Sequence, residues 1–301
     1  MSVERVHYDE FSYFRDNADE AGIAWNGPPV VRRERVAVDG DRSLSALVWG
    51  DGPPEIVLLH GGAQNAHTWD TVALALDRPL VAIDLPGHGH SDGGIGGSLD
   101  VRRNARDVEI VVRALAPDAR MVVGMSLGGM TSLALADLAP DLVRRLALVD
   151  VTPGVDGPKA QQITAFIDGP ETFPSFDELL ARTIEFNPTR TESSLRRGIL
   201  HNAMQLDDGS WVWRYRRISE PGGEGGHPDF SSLWDVLGAT TMPLMLARGL
   251  LPQSVVDDAD EAEVLRRRPD AVIVHFERAG HSIQGDQPVE LAAALAGFCD
   301  R

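Results

Sequence analysis

Short apolar runs with no polar interruption recur along the chain at Ile56–Leu59, Leu80–Ile83, Met121–Val123, Leu146–Val149, Leu244–Leu246 and Val272–Val274. A run of this length without alternation predicts a strand buried on both faces, as in a parallel sheet. Between several of them, apolar residues return at helical spacing over His67–Leu76, Leu99–Leu115, Leu127–Leu138 and Asp257–Arg268, and a last helical pattern, Pro288–Phe298, closes the chain. Near the start, Val31–Val38 and Leu44–Val48 flank Asp39-Gly40-Asp41, a turn signal that predicts a β-hairpin. Residues 5–24 read as a short amphipathic helix or a surface arm. Strands alternating with helices predict the α/β class: a mostly parallel central sheet flanked by helices on both sides.

The alternation stops between Thr152 and Thr241. This stretch gathers aromatic residues, among them Phe166, Phe186, Trp211, Trp213 and Tyr215, and contains the loose segment Pro221–Gly226. It reads as a helical cap inserted after the sixth strand, over the carboxyl edge where open α/β sheets bind ligands. The competing reading is a second packed domain with no ligand role. The expected organisation is an N-terminal arm or helix over 1–29, a first part of the core over 30–151, the helical cap over 152–240 and a second part of the core over 241–301.

Composition narrows the function. The chain of 301 residues carries 28 Lys and Arg against 45 Asp and Glu, a net charge of −17. That charge excludes non-specific nucleic-acid binding, which needs cations to displace counterions, and disfavours an anionic membrane surface. With 43% hydrophobic and 24% charged residues the balance is that of an ordinary globular protein. Cys299 is the sole cysteine, so no intrachain disulfide and no Cys-rich zinc site can form. The first twenty residues have no apolar signal region, and no run approaches the ~18 residues of a membrane helix. The expectation is a soluble, cytoplasmic protein without nucleic-acid or membrane partners; its oligomeric state is not legible.

The strongest chemical signal is Gly124-Met125-Ser126-Leu127-Gly128-Gly129, directly after one strand run and at the start of a helical pattern. G-x-S-x-G in that context is a nucleophile elbow, a turn so tight that the residues two before and two after the serine must be small. A serine hydroxyl needs a base that a third group holds in place. His281, in Ala279-Gly280-His281-Ser282 after the last strand run, is the candidate base. Two acids compete. Asp150 ends the run Leu146–Val149, at the carboxyl edge beside the elbow. Asp257 is the first carboxylate after Leu244–Leu246, although Asp257 and Asp258 also look like a helix start. His60-Gly61-Gly62-Ala63 follows the run Ile56–Leu59, so the backbone N–H groups of Gly62 and Leu127 are the expected oxyanion donors. Gly61 is a candidate substrate contact; Trp211 and Trp213, at period-two spacing in Trp211-Val212-Trp213-Arg214-Tyr215, are candidates too, with anchoring of the cap as the equal alternative. His88-Gly89-His90-Ser91-Asp92 imitates part of a metal site, but it follows a strand-exit turn and lacks a further histidine; no metal is expected.

Taken together, HGGAQNAHTWD (60–70), DLPGHGHS (84–91), GMSLGG (124–129), LVDVTPG (148–154) and AGHSIQGDQP (279–288) closely resemble the α/β-hydrolase superfamily. Within it the chain looks most like the mycobacterial carboxylesterases that act on short acyl esters, a likeness extending through FPSF (173–176), SLRRG (194–198) and WVWRY (211–215). The resemblance implies the α/β-hydrolase fold, Ser126 as nucleophile, His281 as base, Gly62 and Leu127 in the oxyanion hole, and an acid at Asp150. It also implies a small-molecule ester as substrate and no metal or organic cofactor. Carbon–carbon bond hydrolysis, lactonase or thioesterase activity would use the same residues, and a non-catalytic ligand-binding protein is the rival from another class.

Overall fold

The computed structural model describes residues 5–93, 100–215 and 229–301. Its strands are β1 (Val31–Asp39), β2 (Arg42–Trp49), β3 (Ile56–Leu59), β4 (Leu80–Ile83), β5 (Met121–Met125), β6 (Leu146–Val149), β7 (Thr172–Phe173), β8 (Ala203–Gln205), β9 (Trp211–Trp213), β10 (Leu244–Gly249) and β11 (Val272–Phe276). Eight of them form the main sheet in the order β1-β2-β4-β3-β5-β6-β10-β11. The β1–β2 hairpin joins β4 antiparallel, and the ladders from β4 to β11 are parallel. Every apolar run of the sequence lies in this sheet.

The runs lack polar residues because both faces of the sheet are covered. Val57, Leu59, Val81 and Ile83 pack on one side with residues of the helices Val101–Leu115 and Leu127–Leu138. Their neighbours Ile56, Leu58, Leu80 and Ala82 point the other way, toward Asp70–Leu76 and Pro288–Cys299. Each fully buried aliphatic side chain is worth about 1.5–3 kcal/mol, so a polar replacement in these four-residue strands would be expensive.

The strand order also fixes where a ligand can sit. From β3 the chain moves to β4 on one side, then returns to β5 on the other. The connections therefore diverge between β3 and β5, which leaves a crevice at their carboxyl ends. His60–Ala63 leaves β3 there and Ser126 leaves β5 beside it.

Between β6 and β10 the chain builds an insertion with helices Gln161–Ile167, Phe176–Phe186 and Glu192–Asn202. It is not helical throughout, as the sequence pattern suggested: β7, β9 and β8 form a small antiparallel sheet. The cause is a turn at Asp207–Ser210, where Leu206 N–H bonds to Ser210 O at 2.8 Å and Gly209 takes φ 91°. That turn folds the β-favouring Trp211-Val212-Trp213 back on β8. Phe173, Leu179, Leu195, Ile199 and Trp211 fill a separate small core there. The following helix, Leu233–Ala239, instead sends Leu233 and Leu237 into the main core. The segment Pro221–Gly226 lies outside the described residues.

The N-terminal segment is helical only over Phe14–Ala21, less than the 5–24 pattern suggested. Phe14 packs on Trp49 with ring centroids 4.8 Å apart. Ahead of the helix, Tyr8 hydroxyl lies 2.8 Å from His201 Nδ1 of the insertion, and Glu10 pairs with Arg33 and His67 of the core. The arm thus ties core and insertion together. Among the described residues no helix is long and apolar enough to cross a membrane.

Candidate active site

Ser126 stands between β5 and the helix Leu127–Leu138 with φ 51° and ψ −119°. A side chain held in that region stores on the order of 1–3 kcal/mol of strain. The close packing around the turn explains the motif. A Cβ on Gly124 would run into the backbone of Gly128 and Gly129, and one on Gly128 into the carbonyls of Leu59 and His60. Leu127, as first residue of the helix, has an N–H with no carbonyl of the preceding turn to bond, and it faces the positive end of the helix dipole.

His281 follows β11 in a loop, and its Nδ1 lies 2.9 Å from Asp150 Oδ2. Asp150 leaves β6 with φ 46° and is completely buried. Its carboxylate also accepts from Gly249 N–H at 2.9 Å, Ser254 hydroxyl at 2.6 Å and Val255 N–H at 3.1 Å. A carboxylate offers about four acceptor positions, and here each has a donor. His281 Nδ1 is therefore the protonated nitrogen. The lone pair is left on Nε2, which is buried without a hydrogen-bond partner and so makes none to Ser126 in this conformation. Ser126 and His281 line the same cavity of about 360 Å³.

Asp257, the other candidate acid, is far from this arrangement in role. Its side chain caps the helix Asp258–Arg267, exchanging bonds with Asp260, and pairs with Lys159 at 3.0 Å.

The loop after β3 is held by two histidines. His60 Nδ1 is 2.7 Å from Gly61 O, and its Nε2 accepts from Leu85 N–H at 2.9 Å. With the Gly61 carbonyl turned to His60, the Gly62 N–H of the same trans peptide points the opposite way. His88 Nε2 accepts Ala63 N–H at 3.1 Å and its Nδ1 faces Pro86 O at 3.0 Å. Accepting an N–H requires a neutral ring. Burial lowers the His60 pKa, and burial above all pushes His88 down to about 3. Gln64 Oε1 takes the Gly61 N–H at 3.1 Å. Among the described residues, the non-glycine positions with positive φ are Ala63, Asp77, Ser126 and Asp150. Three of these four lie here, where strain is expected to collect in a functional site.

The family model for the Alpha/beta hydrolase family matches residues 56–294. The chain belongs to the α/β-hydrolase family. It is similar along nearly its whole length to esterase Rv0045c of Mycobacterium tuberculosis, with 44% identity over 99% of this chain and 98% of that protein. A solved structure of that esterase matches with a TM-score of 0.86 at 43% identity, covering 98% of this chain and 100% of the other. The mouse sn-1-specific diacylglycerol lipase ABHD11 is 25% identical over 87% of this chain and 83% of its own length.

In this α/β hydrolase the cavity beside Ser126 is lined by Phe166, Ile167 and Phe186 of the insertion and by Gly61 and Gly62 of the loop after β3. Trp211 takes the anchoring role: it is buried in the insertion's own core against Phe176. Trp213 lines a neighbouring cavity and packs on Phe166 and Tyr215. Sequence reasoning missed Ser254, Gly249 and Val255. The loop after β10 carries no early carboxylate of its own and supplies the donors that hold one arriving from β6.

In the His88–Asp92 run both ring nitrogens of His88 are taken by backbone groups, and Asp92 pairs with Arg35 and Ser43. A different group, His67, Asp70 and His201, brings ligand-type atoms within 4.8 Å of one another. Its two imidazoles stack face to face at 3.9 Å and 13°. A metal ion coordinates in the plane of an imidazole lone pair, so these parallel rings cannot share one as they stand. The group holds a proton instead. Burial opposes charge on His67, but the attraction of Asp70 and hydrogen bonds to Asp70 and Glu10 outweigh it and raise its pKa to about 9. The enclosed Asp70 is itself pushed up by burial, an effect that the facing imidazolium counters.

These shifts set a pH profile of stability. His67 binds its proton more tightly when folded, so its contribution is complete below about pH 6.5 and is lost as pH rises toward 9. His88 binds its proton less tightly when folded, so stability falls on acidification from about pH 6.5 toward 3. Glu10, lowered to about 2 by hydrogen bonds to His67 and Arg33 that overcome burial, steepens the acid limb below about pH 4.5. Thermal melts between pH 4 and pH 9.5 should peak at about pH 6.5, and His67→Gln should flatten the alkaline limb. An alkaline limb unchanged in that variant would show that His67 is not charged in the folded protein.

Proposed function

We propose that the chain is a serine carboxylesterase that hydrolyses small or short-acyl esters, with Ser126 as nucleophile, His281 as base and Asp150 as the acid that orients it. The observation that carries this reading is the 2.9 Å His281 Nδ1–Asp150 Oδ2 bond, which leaves the Nε2 lone pair without a partner on a residue that lines the same cavity as Ser126. Esterase Rv0045c, 44% identical over nearly the whole chain, adds support for ester substrates.

The steps follow from the groups present. A turn of the serine side chain brings its hydroxyl to His281 Nε2, a bond that tightens when substrate binds. His281 takes the proton as the hydroxyl attacks the ester carbonyl. The N–H groups of Gly62 and Leu127 hold the oxyanion, each worth about 10²–10³ in rate. The imidazolium protonates the departing alcohol, and water activated by the same nitrogen then frees the acid from the acyl-enzyme. Asp150 keeps the ring in the tautomer that these transfers need. The aromatic roof of Phe166 and Phe186 limits the acyl group that the cavity can take.

A fluorophosphonate probe should label the protein at one site, and peptide mapping should place the label on Ser126. Hydrolysis of p-nitrophenyl esters from acetate to palmitate should favour the short chains. A protein that stays unlabelled, or a label on another serine, would overturn the esterase reading in favour of a ligand-binding protein.

A further inference from the structure

A second cavity of about 160 Å³ adjoins the one above Ser126, and Ala63, Gln64, Phe166 and Asn187 line both. Its other walls include Asn65, Thr183, Ser194, Asn202 and Gln284. Three cationic side chains, His67, Arg190 and Arg197, line it too, and no Asp or Glu does. In a chain with 45 acidic and 28 basic residues, a wall of that composition runs against the average.

Two of the three cations are neutralised from outside the cavity. Arg197 pairs with Glu20, and His67 with Asp70 and Glu10. Arg190 is different. Among the described residues the carboxylates that act on Arg190, those of Asp286 and Glu20, do so through their field and not through a hydrogen bond, and its Nε is buried without a hydrogen-bond partner. Its guanidinium donates through Nη2 to the Ser194 hydroxyl. The carboxylates nearest in field are engaged elsewhere: Asp286 accepts from Thr189 and Gly280, and Glu20 from Thr191 and Arg197. Burial lowers the Arg190 pKa more than those two carboxylates restore it. Its guanidinium packs on Gly285, where an added Cβ would come within 3.0 Å of Cζ, so the group has little room to swing away.

A buried guanidinium without a counter-ion is costly, and a carboxylate brought in by a ligand would supply the opposite charge that the protein does not. We propose that the second cavity is a subsite for a carboxylate carried by the substrate beyond its ester group, with Arg190 as the counter-ion. The preferred substrates are then half-esters of short dicarboxylic acids rather than neutral esters of equal length. Arg190 binds and does not take part in the chemistry. The inference rests on the serine esterase reading, since it assumes that the ester lies at Ser126.

The test compares monomethyl succinate, glutarate and adipate with methyl butyrate, valerate and hexanoate. For at least one half-ester, kcat/KM should exceed that of its neutral counterpart by about tenfold or more, chiefly through KM. In Arg190→Gln this ratio should collapse toward one, and Arg190→Lys should recover part of it, because lysine keeps the charge but not the planar fork. Circular dichroism of both variants guards against misfolding. Calorimetry of free glutarate with Ser126→Ala adds a readout that needs no turnover: binding should be measurable, and lost when Arg190→Gln is added. A ratio near one in the native protein, or a ratio that survives Arg190→Gln, would overturn the subsite. Failure of every ester together with an unlabelled Ser126 would instead overturn the esterase reading, and glutarate binding would then decide the subsite by itself.

Discussion

Ser126→Ala should lower the turnover of p-nitrophenyl acetate by at least about 10³-fold while leaving the protein folded. The size follows from what remains. Without the hydroxyl no acyl-enzyme can form, and His281 with the Gly62 and Leu127 N–H groups can only assist a water that nothing positions. Stability should change little, because alanine keeps the Cβ that the backbone already tolerates at φ 51°. Ser126→Gly separates the two roles of the residue. It is equally inactive, but it releases the strain of a side chain held at positive φ, which outweighs or balances the greater freedom of glycine in the unfolded chain. Ser126→Gly should therefore melt at or above the temperature of Ser126→Ala. Esterase activity that persists in Ser126→Ala at even a tenth of the native level would mean that another residue is the nucleophile.

The parts of this molecule that were legible in the sequence are those where packing leaves no choice of residue. Ile56–Leu59 and Leu80–Ile83 are buried from both sides, so they carry no polar position and stand out as runs. Gly124 and Gly128 are glycines because backbone from the adjoining turn and from β3 fills the space of a Cβ, and that constraint leaves its mark in a few adjacent letters. The illegible parts depend on contacts between distant residues. Strands of two or three residues such as β7 and β8 carry no periodicity of their own and exist because the Asp207–Ser210 turn brings β9 alongside. Trp211 and Trp213 sit two residues apart on one strand, yet one enters the insertion's core and the other reaches a cavity. Only the placement of the strand decides which. The arm follows the same rule, since the pairing of Glu10 with Arg33 and His67 has no local signature.

The acid illustrates both sides of that division. Position after β6 made Asp150 a candidate, but its standing against Asp257 turns on Gly249, Ser254 and Val255, which lie about a hundred residues further along the chain. Asp150→Asn should cost roughly 10³–10⁴-fold in kcat near neutral pH, measured against the same short-chain ester. An asparagine amide must turn its NH₂ toward at least one of the four donors that now meet the carboxylate. If it faces Gly249, Ser254 or Val255, a buried donor loses its acceptor, at about 1–3 kcal/mol of stability. If it faces His281, Nδ1 becomes the acceptor and the ring proton moves to Nε2, where it cannot receive the proton of Ser126. Either route damages the enzyme, and because Val255 N–H shares Oδ2 with His281 the second also leaves that donor unpaired. Its cost of about 1–3 kcal/mol is still smaller than a roughly 10³–10⁴-fold loss of rate, so the loss of rate should exceed the loss of stability. Asp257→Asn should leave turnover within about twofold, because asparagine caps a helix about as well as aspartate and only the partly exposed pair with Lys159 is lost. The reverse pattern, a mild Asp150→Asn and a crippling Asp257→Asn, would mean that the imidazole takes a different partner during turnover from the one it holds here.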